Sequence, residues 1–187
     1  IILVDQAETP LHSLSLEIAA QRHDVSVHII IQDIRNYQAM ERLFATFQPH
    51  KVYHAAAYKH VPLMEKYPDQ AILANVMGTK NVADLSYHYR VEKFVMVSTD
   101  KAVNPSNVMG ASKRIAEIIA QAANNGQTQF ITTRFGNVLG SNGSVIPLFR
   151  RQIEQGGPVT VTDERITRYF MTIPEACQLV LEAGVMG

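Results

Sequence analysis

Short apolar runs rich in β-branched residues alternate with longer stretches of helical spacing along this chain. The runs fall at Ile1–Val4, Val25–Ile31, Lys51–Ala57, Phe94–Ser98, Phe130–Phe135 and Val159–Val161. Phe94-Val95-Met96-Val97 is apolar throughout and flanked by polar residues, as a strand buried on both faces requires. Between the runs, Ile115, Ile118, Ile119 and Ala122 recur at i, i+3, i+4 and i+7. Ser106 or Asn107 stands where a helix cap belongs, and Gly126 lies just past the helix end. Ile72, Val76, Thr79 and Ala83 mark another helix, opened by Pro68-Asp69. Asn75 shares that stripe, and a buried amide needs hydrogen-bond partners. Strands alternating with helices predict βαβ units, that is, an α/β fold with a doubly wound parallel sheet and right-handed crossovers.

The ends of the pattern carry a further expectation. The chain opens directly in a strand that finishes at Asp5. A Rossmann-like dinucleotide-binding domain needs an earlier strand, a glycine-rich turn and a helix before such a strand. No G-x-G-x-x-G is present, and Gly136, Gly140 and Gly143 have another spacing after another strand. The chain therefore reads as an internal stretch of a larger protein that lacks the first βα unit. Residues 1–143 read as a partial dinucleotide-binding domain and residues 144–187 as the start of a smaller, loop-rich substrate lobe.

Composition adds little beyond exclusions. Lysine plus arginine equals aspartate plus glutamate at 17 each, so no basic excess points to nucleic acid. No apolar stretch reaches bilayer-spanning length, so no membrane contact is expected from these residues. The lone cysteine, Cys177, lies in an apolar helical pattern and reads as a small buried residue, in keeping with a reducing, cytoplasmic setting. The seven histidines show no metal-ligand spacing, and no metal is expected.

Chemistry concentrates after the Phe94–Val97 run. Ser98-Thr99-Asp100-Lys101 sets an acid, an amine and two hydroxyls at the carboxyl end of a strand, where open α/β sheets hold their ligands. A carboxyl beside an amine can protonate one substrate atom while deprotonating another. A solvated turn with an incidental ion pair is the other reading of these residues alone.

Four long motifs then carry a resemblance. Ser98-Thr99-Asp100-Lys101-Ala102-Val103-Asn104-Pro105, with Met109-Gly110-x-x-Lys113, is similar to the active site of nucleotide-sugar 4,6-dehydratases. These belong to the CapD-like polysaccharide-biosynthesis branch of the extended short-chain dehydrogenase/reductases. The segments from Ala55 to Glu65, Arg134 to Ser141 and Thr167 to Ala176 resemble the same branch. The resemblance runs in order from about residue 1 to residue 187.

It implies a hydride-transferring enzyme that uses NAD, with NADP as the alternative, on a UDP-sugar such as UDP-N-acetylglucosamine. Hydride would leave sugar C4, Lys101 would take the C5 proton, and Asp100 would protonate the departing C6 hydroxyl. Lys113 would bind the nicotinamide ribose. Met109 stands where the superfamily carries tyrosine, so Thr99 or a water beside Asp100 would mediate loss of the C4 hydroxyl proton. Cofactor contacts are implied for Asp5, for Asp33 and Ile34 near the adenine, and for Ala55, Ala56 and Ala57 along the cofactor. Gln32 occupies a position where the family has glycine, and Asp5 also reads as a strand-terminal turn residue. Asn75 would support the active-site lysine. Lys59 and His60 would face the sugar, although His60 equally reads as a loop histidine. Asn137 and Arg168 would hold the diphosphate. Val159-Thr160-Val161 resembles a strand whose backbone reads the uracil. A homo-oligomer is implied, paired through the helices around 72–83 and 115–122, with the parent chain anchored to the inner membrane by segments outside this stretch. An epimerase on the same substrate and a non-catalytic nucleotide-sugar binding module are the alternatives.

Overall fold

The computed structural model describes residues 1–21, 24–124, 126–141, 143–161 and 163–186. The runs called strands pair in parallel. β1 (Ile2–Asp5) pairs with β2 (His28–Ile31), joined by α1 (Glu8–Ala20). β3 (Lys51–His54), β4 (Lys93–Thr99) and β5 (Gln129–Phe135) form a three-stranded sheet with β4 in the centre. Phe94, Val95 and Met96 in β4 are fully buried, as an apolar run in a central parallel strand should be. A third, two-stranded sheet joins β6 (Asn137–Val138) to β7 (Phe170–Met171), two short strands whose length gives no periodic signal.

Helices cover the sheet. α2 (Tyr37–Phe47) begins at Asn36, whose side chain accepts a bond from Ala39 N, and it buries Met40 and Phe44. α3 (Val61–Lys66) is followed by one helical rod from Pro68 to His88. That rod starts as α4 (Pro68–Ala71), passes through a π-helical segment (Ile72–Gly78) and ends as α5 (Thr79–His88). α6 (Val108–Ala122) packs against this rod and against β4 and β5. α7 (Val145–Glu154) and α8 (Ile173–Met186) complete the fold. Met40, Phe44, Val82, Leu85, Val91, Phe94, Met96 and Phe130 form the main core between helices and sheet. None of the described helices is long and apolar enough to cross a membrane.

Four expectations fail locally. Val159–Val161 is no strand: the Thr160 amide bonds to the Gln152 side chain at 3.0 Å and so joins no ladder. Cys177 is exposed, because its helix turns the neighbouring Ala176 inward. The stripe on α6 faces out, with Ile115 41% and Ile118 50% exposed, while Met109, Ser112, Lys113, Ala116, Glu117 and Ala120 face in. Ile72 is likewise 43% exposed, although Asn75, Val76, Thr79 and Ala83 on its rod are buried. Gln32 needs no glycine-like backbone: the described non-glycine residues with left-handed φ are Gln48, Arg90 and Asn104.

Candidate active site

Strand ends and helix starts meet at the carboxyl edge of the sheet. Two cavities open there, of about 430 Å³ and about 190 Å³. Ala55, Ala57 and Tyr58, just past the end of β3, line both and form the wall between them. The small side chains of Ala55–Ala57 let a flat ligand approach the backbone.

Asn75 holds that wall. Its Oδ1 accepts Tyr58 N at 2.7 Å, and its Nδ2 donates to Tyr58 O at 3.0 Å and to Ser112 Oγ at 2.9 Å. Ser112 Oγ in turn donates to Met109 O on α6. Thr79 Oγ1 donates to Asn75 O, which leaves it to accept from the Nε2–H of His54, 2.8 Å away. Burial, and secondarily the charge of Lys113, pushes His54 down to about 3, so its imidazole is neutral. The π-helical segment thus presents one buried amide to a loop and a second helix at once, while Thr79 next to it reaches the strand residue His54, and π segments recur at functional sites.

The larger cavity gathers the reactive turn. A 3₁₀ turn, Asp100–Ala102, follows β4 directly, and the Thr99 side chain caps it. Thr99 Oγ1 donates to Asp100 Oδ1 at 2.9 Å. Lys101 Nζ donates to the same Oδ1 at 2.9 Å and to Asn137 Oδ1 at 3.2 Å. Burial works to raise the Asp100 carboxyl, but the bonds from Lys101 and Thr99 outweigh it and hold the group below the usual range. Asp100 therefore rests as a carboxylate, in an ion pair with Lys101. Thr99, Lys101, Asn137, Lys59, His60 and Met109 all line this cavity.

α6 supplies its floor. Asn107 Oδ1 caps the helix through Gly110 N at 2.8 Å, and Glu65 Oε1 accepts Val108 N at 2.7 Å. These two contacts tie α6 to its own turn and to α3. Lys113, one turn in, donates from Nζ to Val97 O on β4 at 2.7 Å and also lines the cavity. Burial pushes its ammonium down to about 8, with Glu117 pulling the other way. Met109 packs beside Met64 and Ala71, and its thioether offers no proton.

The smaller cavity lies at the ends of β1 and β2. Val4, Asp5, Gln32, Asp33, Ile34 and Ala56 line it. Asp5 Oδ1 accepts Ala7 N at 2.8 Å, and no described residue bonds its other carboxylate oxygen. Arg35 forks onto Asp33, with Nε to Oδ2 at 2.7 Å, and holds that carboxyl below the usual range. The Arg35 Nη1 also reaches Gln70 Oε1 at 3.2 Å.

Most expected site residues thus line two adjoining cavities, with Asn75 buried behind the wall between them; Asp100 lines neither and is held to the larger one through its bonds from Thr99 and Lys101. Arg168 does not join them: it is exposed, and its Nη1 donates to Thr167 O at 2.7 Å. Residues not expected from sequence are the tie residues Glu65, Ser112 and His54, together with Gly143, whose missing side chain makes room for the His60 ring. Their signal lies in partners distant in sequence, which periodicity does not report.

Comparison with known proteins adds to this picture. A family model described as polysaccharide biosynthesis protein matches residues 1–187. The capsular polysaccharide biosynthesis protein CapD of Staphylococcus aureus is 54% identical over 190 residues, covering 100% of this chain and 32% of that protein. The chain thus spans about a third of the length of that relative. A protein named UDP-glucose 4-epimerase from Rickettsia rickettsii is 45% identical over 161 residues, covering 84% of this chain and 47% of that protein. Among solved structures, Pen from Bacillus thuringiensis superposes with a TM-score of 0.90 at 35% identity, over 100% of this chain and 59% of that one. The UDP-glucose 4-epimerase of Thermus thermophilus, solved with NAD, shares the Rossmann-like fold: TM-score 0.73 at 22% identity, over 95% of this chain and 72% of that one.

Proposed function

The chain belongs to the polysaccharide biosynthesis protein family, and on that premise we propose that it forms the catalytic core of an NAD-dependent nucleotide-sugar 4,6-dehydratase. Its substrate is a UDP-sugar, with UDP-N-acetylglucosamine as the first candidate. Residues 1–143 bind the cofactor and carry the chemistry, and residues 144–187 begin the substrate lobe.

The observation that carries this reading is the Thr99-Asp100-Lys101 constellation: Thr99, Lys101 and Lys113 line the larger cavity, and Asp100, bonded to both Thr99 and Lys101, stands next to it. A dehydratase needs a base for the C5 proton and an acid for the C6 hydroxyl, and an epimerase needs neither. The resting ion pair stores both. When the shared proton passes from Lys101 Nζ to Asp100 Oδ1 along their 2.9 Å bond, Lys101 becomes the amine and Asp100 the acid. Lys101 then takes the proton from C5, and Asp100 gives its proton to the departing C6 oxygen, so water leaves and the pair ends with the charges it began with. Asn137 Oδ1 steers the Lys101 amine through its bond to Nζ.

The smaller cavity fits the adenosine end of NAD. The open oxygen of Asp5 suits ribose hydroxyls and repels a 2′-phosphate, which favours NAD over NADP. When bound, NAD supplies a reversible acceptor for the hydride of sugar C4. Lys113 binds its ribose and holds a positive charge beside the reacting hydroxyl. With Met109 inert, Thr99 Oγ1, already bonded to Asp100, is the hydroxyl placed to pass on the C4 proton. The outward stripe of Ile115 and Ile118 on α6, beside exposed Ile72 and Met77 on the rod, forms the pairing face of a homo-oligomer.

The 45% identity to a protein named UDP-glucose 4-epimerase favours one second reading, epimerisation at C4. Product mass decides between them. The full-length protein incubated with UDP-N-acetylglucosamine should give a product lighter by one water. An isomer of unchanged mass would make it an epimerase, and no turnover with any UDP-sugar would leave a binding module.

A further inference from the structure

The rod from Pro68 to His88 reaches the smaller cavity at a second place, away from Asn75. Asp33, Ile34 and Arg35 line that cavity. They form a reverse turn between β2 and α2, closed by the bond from Asn36 N to Asp33 O at 3.0 Å. Such a turn leaves the carbonyls of its two central residues outside its own bonding. No backbone amide among the described residues takes Ile34 O or Arg35 O, and both residues are half-buried, where an unpaired carbonyl is costly.

Asn81, on α5, takes both. Its Nδ2 donates to Ile34 O at 3.0 Å and to Arg35 O at 3.2 Å. An amide nitrogen carries two N–H groups, enough to serve one carbonyl with each. Two more contacts to the turn come from the same rod. Gly78, buried and three residues before Asn81, seats the Ile34 side chain: a Cβ at Gly78 would stand 2.5 Å from Ile34 Cδ1. Gln70 Oε1 accepts Arg35 Nη1 at 3.2 Å. We propose that Asn81 is a positioning residue for the adenosine end of the cofactor, clamping the turn at residues 33–35 to the rod so that the smaller cavity is formed before its ligand arrives. The proposal rests on the reading of that cavity as the adenosine site.

The other bonds at this turn cannot do the same. The ion pair of Arg35 with Asp33 joins two residues of the turn itself, so it moves with the turn and ties it to nothing else. The bond from Gln32 N to Asp5 O, at 3.0 Å, anchors the chain to β1 one residue before the turn begins. The Gln70 contact holds a side chain. Both Asn81 bonds end on backbone oxygens, so they fix the course of the chain that lines the cavity. A site held in its bound shape loses less freedom when the ligand arrives, and that saving appears as affinity. Asn75 and Asn81 stand six residues apart on the rod and divide the work: Asn75 holds the wall at Tyr58, and Asn81 holds the turn that lines the smaller cavity.

Calorimetry on the full-length protein with ADP-ribose, which carries the adenosine end of NAD without the nicotinamide, tests this without turnover. Asn81→Ala should weaken ADP-ribose about tenfold and leave UDP binding unchanged. It should also raise the KM for NAD by more than it lowers kcat. Asn81→Asp sets an acceptor against two carbonyls. Its ADP-ribose affinity should fall further at about pH 8 and recover towards wild type as pH drops to about 5, where a protonated carboxyl donates again. Wild-type affinity in Asn81→Ala, equal losses for ADP-ribose and UDP, or a deficit in Asn81→Asp that ignores pH each overturns the proposal. If Asn81→Ala does not fold, unchanged ADP-ribose affinity in Asn81→Ser, whose hydroxyl is too short to span both carbonyls, overturns it alone. If the wild type binds no ADP-ribose, the reading of the cavity falls and this proposal with it. If the wild type binds and Asn81→Ala binds as tightly, only the role of Asn81 falls.

Discussion

Asn75 offers the sharpest structural test, because three bonds from one buried amide hold the wall between the two cavities. Asn75→Ala deletes the bonds to Tyr58 N, Tyr58 O and Ser112 Oγ. Ser112 Oγ keeps its bond to Met109 O, and Tyr58 is half-buried, so water recovers part of the loss. At about 1 kcal/mol net per bond, the cost comes to about 2–3 kcal/mol. Asn75→Asp goes further. One oxygen still accepts Tyr58 N, but the other now faces Tyr58 O, which cannot donate. That contact needs a protonated carboxyl, so the folded pKa stands above the unfolded value of about 3.9. A group raised in this way contributes its full stability below the unfolded value and loses it as pH rises through the folded one. Relative to wild type at each pH, Asn75→Asp should therefore be weak at pH 7 and approach parity as pH falls below 5. Urea denaturation of the full-length protein reads both variants. A cost below about 1 kcal/mol for Asn75→Ala, or a pH-independent deficit for Asn75→Asp, would refute the reasoning.

Three further outcomes follow from the same geometry. Gly110→Ala places a Cβ 2.3 Å from Lys101 O, a backbone atom that cannot swing away, so α6 must shift from the catalytic turn; the rate of water loss should drop at least tenfold while NAD still binds, as steady-state kinetics and calorimetry would show. Lys113 carries a pH signature: its ammonium lets go near 8 when folded against an ordinary 10.5, so between those values the unfolded chain binds more protons and stability rises with pH. Lys113→Met should thus be more stable than wild type by about 3 kcal/mol at neutral pH, a gap that closes from pH 8 to 10.5 in denaturation measured across that range. Ile118→Glu, on the outward stripe of α6, should convert the oligomer to monomer in light scattering without lowering the protomer's denaturation midpoint, and an unchanged mass would remove that face as the interface.

Hydrophobic pattern located the sheet and left the helix faces open. The apolar runs at 1–4, 51–57, 94–98 and 130–135 each overlap an observed parallel strand, and the run at 94–98 is apolar because the central strand β4 is buried on both faces. On α6 the same logic chose the wrong face. Ile115 and Ile118 form a stripe at ideal spacing, yet the helix buries Ser112, Lys113 and Glu117 instead. Each of those finds a specific partner: Asn75, Val97 O, and Arg134 with Arg114. Hydropathy scores such residues as surface, since it registers the cost of burying them and not the bonds that offset it. The reactive turn was legible because Thr99, Asp100 and Lys101 are adjacent in sequence. The ties that position it were not, since Glu65 to Val108 and Glu117 to Arg134 cross 43 and 17 residues of chain.

In the proposed reaction Asp100 and Lys101 perform the water loss after C4 is oxidised. Single-turnover absorbance of NADH in full-length Lys101→Met, with product mass taken on the same samples, tests it most directly. NADH should form and persist, and product lighter by one water should fall by about 10²–10⁴-fold. Dehydrated product at the wild-type rate would contradict it.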